Sequence, residues 1–119
     1  MSHTLSAFRG VVCPAFTPLR DGRIDMTAME KHFSRLTDSG INGILLSGTL
    51  AEFPSFSLDE RLELIRCARS MTSLPVIVNV ATTCMGDMWR LADAACNQGY
   101  EALMTLPPYY FGQTAVQLE

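Results

Sequence analysis

The stretch Gly48-Thr49-Leu50-Ala51-Glu52 holds the residues best placed for chemistry. It follows Ile44-Leu45-Leu46, an apolar run too short for a helix and readable as a buried strand. Ser47, Gly48 and Thr49 then leave backbone N–H groups and one hydroxyl uncovered, and a helical pattern resumes at Ser57. A strand, a small polar turn and a helix together collect donors for an anion. The same residues also serve as a tight turn with no ligand. Near the other end stand Tyr109 and Tyr110, whose phenols both donate and accept and which, from these residues alone, read as packing at the rim of a sheet.

Other chemistry-bearing residues have structural explanations. Lys31 is the sole lysine. A nucleophilic amine must be desolvated to lose its proton near neutral pH. Lys31 falls on the polar side of a helix whose apolar side is Met29, Phe33 and Leu36, which disqualifies it. Asp59, Glu60 and Glu63 lie in the first turns of a helix, where carboxylates complement the dipole. Arg20 and Arg23 flank an Asp-Gly turn and read as solvated loop residues. Cys13, Cys67, Cys84 and Cys96 form no Cys-x-x-Cys pair, and neither His3 nor His32 stands at ligand spacing from them, so no metal is expected. Free thiols of this kind suit a reducing compartment.

These residues need elements to position them. Apolar strands are expected to begin near residues 10, 43, 75 and 101, each followed by a helix. Thr27 to Glu30 and Ser57 to Glu60 have the form of capping boxes, and Gly40 and Gly99 stand at helix ends. Leu58, Leu62, Ile65 and Ala68 make one apolar stripe, and Met88, Leu91, Ala92 and Ala95 another. Thr114 to Glu119 reads as the opening of a fourth helix. Repeated βα units with right-handed crossovers give a parallel α/β sheet, either an open doubly wound one or part of a barrel. No Gly-x-Gly-x-x-Gly or Gly-x-x-x-x-Gly-Lys accompanies it.

The net charge of −3, with no basic stripe, argues against nucleic acid as a partner. With no leader-like N-terminus and no apolar run approaching about 18 residues, the chain is expected to be cytoplasmic and not membrane-bound.

Gly48-Thr49-Leu50-Ala51-Glu52 resembles the Gly-Thr-Thr-Gly-Glu motif of the dihydrodipicolinate synthase and N-acetylneuraminate lyase family. Ala15-Phe16-Thr17-Pro18 and Pro107-Pro108-Tyr109-Tyr110 extend the likeness over nearly the whole chain. The resemblance implies a (β/α)8 barrel and a class I aldolase or lyase, in which a lysine forms a Schiff base with pyruvate or another 2-oxo acid. It implies no metal or organic cofactor, and a homo-oligomer. By the same resemblance Gly48, Thr49 and Leu50 bind substrate, while Thr49 and Tyr110 form part of a catalytic proton relay that Tyr110 completes across a dimer interface. Leu50 replaces a threonine and loses a donor. Ala51 replaces a glycine, at a cost of roughly 1 kcal/mol if that position requires positive φ.

A complete barrel needs about 250 residues. The 119 residues are therefore expected to form a single partial domain, 1–119, comprising the N-terminal half of a barrel in about four βα units. The relay tyrosine of a strand-five Tyr-Asn-x-Pro segment and the Schiff-base lysine of strand six have no counterpart in the sequence. On this reading the chain alone lacks the covalent catalyst. The alternatives are a non-catalytic half-barrel that binds a small carboxylate or a partner subunit, and the product of a truncated gene. Val76, Val78 and Leu103 are expected to face the open side of the sheet.

Overall fold

Three features dictate the architecture: short apolar runs, amphipathic helices between them, and glycines that end the first and third of those helices. The computed structural model describes residues 6–117. Strand β1 (Val12–Pro14) leads into a small antiparallel hairpin, β2 (Leu19–Arg20) and β3 (Arg23–Ile24). There follow helix α1 (Met26–Asp38), strand β4 (Gly43–Leu46), helix α2 (Leu58–Ala68), strand β5 (Val76–Asn79), helix α3 (Met85–Asn97) and strand β6 (Ala102–Met104). The four long-range strands form one parallel sheet in the order β1-β4-β5-β6. Sequence order and spatial order coincide, as consecutive βα units of a barrel require.

The hairpin fits the Asp-Gly pair, since Asp21 (φ 52°) and Gly22 (φ 76°) both take the left-handed conformation that a two-residue turn demands. β1 is shorter than the apolar run Val11 to Phe16 suggests. It stops at Pro14, which lacks a donor and lies on an edge strand.

Helix α1 is capped by Asp25, not by Thr27. The Asp25 carboxylate accepts from the Ala28 N–H at 2.9 Å and from Arg20 at 2.7 Å. Those bonds, the backbone one first, hold its carboxyl below the usual carboxylate value. Thr27 lies inside the first turn, so the threonine and Glu30 do not form the box their spacing suggests. At α2 the box is complete: the Ser57 hydroxyl accepts from the Glu60 N–H, and the Glu60 carboxylate accepts from the Ser57 N–H. At the carboxyl end of the chain a 3₁₀ turn covers Ala115–Gln117, while Leu118 and Glu119, where a fourth helix was expected to continue, lie outside the described residues.

The core lies between the sheet and its helices. Met29 and Phe33 of α1, Leu62 and Ile65 of α2, and Leu91 and Ala95 of α3 pack against Ile44, Leu46, Val76 and Val78, all buried. Burying each large apolar side chain contributes about 1.5–3 kcal/mol. Val76 and Val78 therefore face the helices, contrary to the expectation that they line the open side. Register assigns Leu103 to the same helix-facing side, because it pairs with Val78. The opposite face carries Leu45, Ile77, Ala102 and Met104, all half-buried, with Asn79 at its carboxyl end. An error of one residue in register inverts such an assignment.

At the amino ends of the strands a polar cluster closes the sheet. Arg69 and Glu101 form an ion pair at 3.1 Å, Glu101 accepts from the Val76 N–H at 2.9 Å, and the Tyr100 hydroxyl donates to the Ile65 carbonyl at 2.7 Å. The chemistry-bearing residues lie at the other end.

Candidate active site at the carboxyl ends of the strands

The turn Ser47 to Glu52 leaves the end of β4 with two residues in the left-handed conformation, Ser47 (φ 58°) and Glu52 (φ 55°). Each costs a non-glycine residue about 1–2 kcal/mol. Ala51 is not one of them, so the alanine carries no such strain, and it is buried instead. Gly48 packs closely on Leu45: a Cβ there would lie 3.0 Å from Leu45 Cδ2, so the leucine side chain would have to shift. Ala51 N–H donates to the Gly48 carbonyl at 3.1 Å and Glu52 N–H to the Thr49 carbonyl at 2.9 Å, so the segment coils into two successive tight turns. Among the described residues the N–H groups of Thr49 and Leu50 find no acceptor, and the Thr49 hydroxyl makes no hydrogen bond.

Two side chains from neighbouring units hold this turn. Asn79, fully buried at the end of β5, donates through Nδ2 to the Ser47 carbonyl at 2.7 Å. Its Oδ1 accepts from the Ala81 N–H at 3.1 Å, which fixes the amide's orientation. Thr17, in the segment after β1, donates its hydroxyl to the Ala51 carbonyl at 3.2 Å. Phe16, one residue earlier, stacks on His32 at 3.8 Å between ring centroids. Burial, with the nearby Arg35 charge, holds that imidazole below its ordinary pKa and favours its neutral form.

Arg61 of α2 is the unexpected member. It is only 5% exposed, and it donates through Nη1 to the Ala81 carbonyl at 2.7 Å and through Nη2 to the Asn79 carbonyl at 2.8 Å. Its guanidinium lies 5.2 Å from the centre of the Phe53 ring. Burial lowers its pKa, although an arginine stays charged throughout. A pocket of about 290 Å³ opens beside it, lined by Phe53, Phe56, Thr82, Thr83 and Tyr109. The signal was present in the sequence. Arg61 stands three residues after Leu58 and four before Ile65, on the apolar stripe itself, and Asn79 interrupts a β-branched strand.

The sequence-derived candidates separate into two places. Gly48, Thr49 and Leu50 lie together on the turn, Gly48 buried and Thr49 and Leu50 exposed. Tyr109 packs edge-on against Phe53 at 6.2 Å. Tyr110, the predicted relay member, points outward, 79% exposed, against Phe111. Lys31 is exposed on α1. No group of three or more His, Cys, Asp or Glu residues could hold a metal among the described residues.

The sequence profile of the Dihydrodipicolinate synthetase family matches residues 7–119. The chain belongs to this family. Its relatives include the 2-dehydro-3-deoxy-D-gluconate/2-dehydro-3-deoxy-phosphogluconate aldolase of Thermoproteus tenax, 35% identical over 93% of this chain and 40% of that protein. They also include the 4-hydroxy-tetrahydrodipicolinate synthase of Bifidobacterium longum, 31% identical over 88% of this chain and 36% of that protein. The solved 2-keto 3-deoxygluconate aldolase of Picrophilus torridus superposes with a TM-score of 0.88 at 26% identity, covering 93% of this chain and 41% of that one. The chain thus spans about two fifths of the length of these relatives. As a member of the dihydrodipicolinate synthetase family, it has the α/β architecture of the N-terminal part of the (β/α)8 barrel. No helix among the described residues is long and apolar enough to cross a membrane.

Proposed function

We propose that this chain supplies the carboxylate-binding part of a Schiff-base lyase or aldolase acting on pyruvate or another 2-oxo acid. The observation that carries the reading is the turn Ser47 to Glu52. Thr49 and Leu50 are exposed at the carboxyl end of β4, their N–H groups and the Thr49 hydroxyl make no hydrogen bond among the described residues, and Asn79 and Thr17 hold the Ser47 and Ala51 carbonyls. Donors fixed before the ligand arrives need no reorganisation when it binds. Thr49 and Tyr110 are the proposed relay, with Tyr110 directed outward to meet a second copy of the chain in a homo-oligomer. The Leu50 side chain contributes no donor, so the anion rests on backbone N–H groups and Thr49.

The nucleophilic amine is proposed to be a lysine outside residues 1–119. An amine that adds to the 2-oxo carbon and expels water must be shielded from solvent, and Lys31 is exposed. Treating this chain with pyruvate and borohydride should therefore leave its mass unchanged. A reduced adduct mapping to Lys31 would overturn the assignment. If the amine is not supplied at all, the same turn supports a second reading, a non-catalytic carboxylate-binding half-barrel, which the position of Lys31 favours.

A further inference from the structure

We propose that Arg61 is a positioning residue for the carboxylate-binding turn, acting through Asn79; the inference rests on the function proposed above. Arg61 stands on helix α2, outside the sheet, yet its guanidinium reaches the carbonyls of Asn79 and Ala81 at 2.8 and 2.7 Å. Those carbonyls flank the point where β5 ends, and the Asn79 side chain between them holds the Ser47 carbonyl at 2.7 Å. Phe53, which follows the turn directly, lies under the same guanidinium. Arg61 thus touches the strand end that fixes the start of the turn and the aromatic ring that follows its end.

Arginine is suited to this because its planar fork presents several donors at fixed separation, and a lysine ammonium cannot span two carbonyls in the same way. A core role alone would not call for a charge. The site buries a cation with no carboxylate partner among the described residues, and Arg61 Nε is buried without an acceptor. Hydrophobic side chains of similar volume fill such space at lower cost. What the guanidinium adds is a fixed geometry for two backbone carbonyls at the edge of the site.

The test compares Arg61→Lys, Asn79→Ala and the double variant by amide NMR and pyruvate titration. Tyr100→Phe, which loosens the opposite end of the sheet, serves as the control for general destabilisation. Without ligand, Arg61→Lys should shift the Ser47, Gly48 and Asn79 side-chain amide resonances, and Tyr100→Phe should not. Pyruvate affinity should fall on the order of tenfold in Arg61→Lys, about 1.4 kcal/mol. The double variant should bind no more weakly than Asn79→Ala alone, because both act through one contact. Wild-type shifts in the turn and wild-type pyruvate affinity in Arg61→Lys, whatever its stability, would overturn the proposal, as would additive losses in the double variant. Should Arg61→Lys fail to fold, Asn79→Ala decides: an unmoved turn there overturns the coupling. If the wild-type protein does not bind pyruvate, the functional reading fails, and the ligand-free shifts still decide the role of Arg61.

Discussion

Asn79 Nδ2 donates to the Ser47 carbonyl at 2.7 Å, so the last residue of β5 fixes the first residue of the turn that leaves β4. Ser47 has φ 58°, a conformation that serine adopts only at a cost. The bond comes from a fully buried amide whose other end is itself held by Ala81. The strained residue and its restraint therefore belong to different βα units, and the turn's shape depends on the sheet being assembled.

Replacing Asn79 with alanine should destabilise the protein by about 1–3 kcal/mol, since the Ser47 carbonyl loses its partner in a dry site. Chemical denaturation would show a lower midpoint with an unchanged slope. The Ser47 to Ala51 amide resonances should move more than those of any helix. A variant with native stability would mean that a water replaces the amide.

Tyr100 makes a prediction about alkaline pH. Burial, the largest influence, raises the phenol's pKa well above the ordinary tyrosine value, and the neutral form is the one that donates to Ile65. A group whose folded pKa is raised contributes stability that is complete below the unfolded pKa, about 10 for tyrosine, and is lost as pH rises beyond it. Stability should therefore decline with pH above that value in the wild type and decline less in Tyr100→Phe. At neutral pH the same variant should lose about 0.5–1.5 kcal/mol. Equal alkaline slopes for the two proteins would contradict the buried hydrogen bond.

Association is the third expectation. Among the described residues β1 and β6 each present an unpaired edge of the four-stranded sheet, and Tyr110 and Phe111 form an exposed aromatic pair. Unpaired edges and exposed apolar groups both favour assembly. Sedimentation of this chain at low micromolar concentration should reveal species larger than its 13.1 kDa. A monodisperse species of that mass, independent of concentration, would show that these surfaces are covered within the chain.

The fold was legible where local pattern and tertiary role agree. Ser57 and Glu60 formed the box their spacing announces, and Gly40 and Gly99, both at positive φ, follow the helices as expected. The turn at Gly48 to Glu52 was legible because its small polar residues follow an apolar run. Three things were not. Asp25 displaced Thr27 as the cap, because its carboxylate is also bound by Arg20 from the hairpin, a partner no helical pattern reveals. Val76 and Val78 faced the helices, because a run apolar at nearly every position does not announce its register. Arg61 and Asn79 stood out only locally, as a charge on an apolar stripe and an amide in a β-branched strand, while the contacts that bring them to the site cross from one βα unit to the next and leave no trace in spacing along the chain.

The most direct measurement is a titration of the isotopically labelled protein with pyruvate, followed at the backbone amides of residues 47–52. Saturable shifts at Gly48, Thr49 and Leu50, weakened by Asn79→Ala and absent at the α1 surface around Lys31, are the expected result. Affinity in the millimolar range, about −4 kcal/mol, suits a site with so few donors. Resonances in the turn that stay unchanged at saturating millimolar pyruvate would leave Ser47 to Glu52 a structural turn and remove the basis for a 2-oxo acid site on this chain.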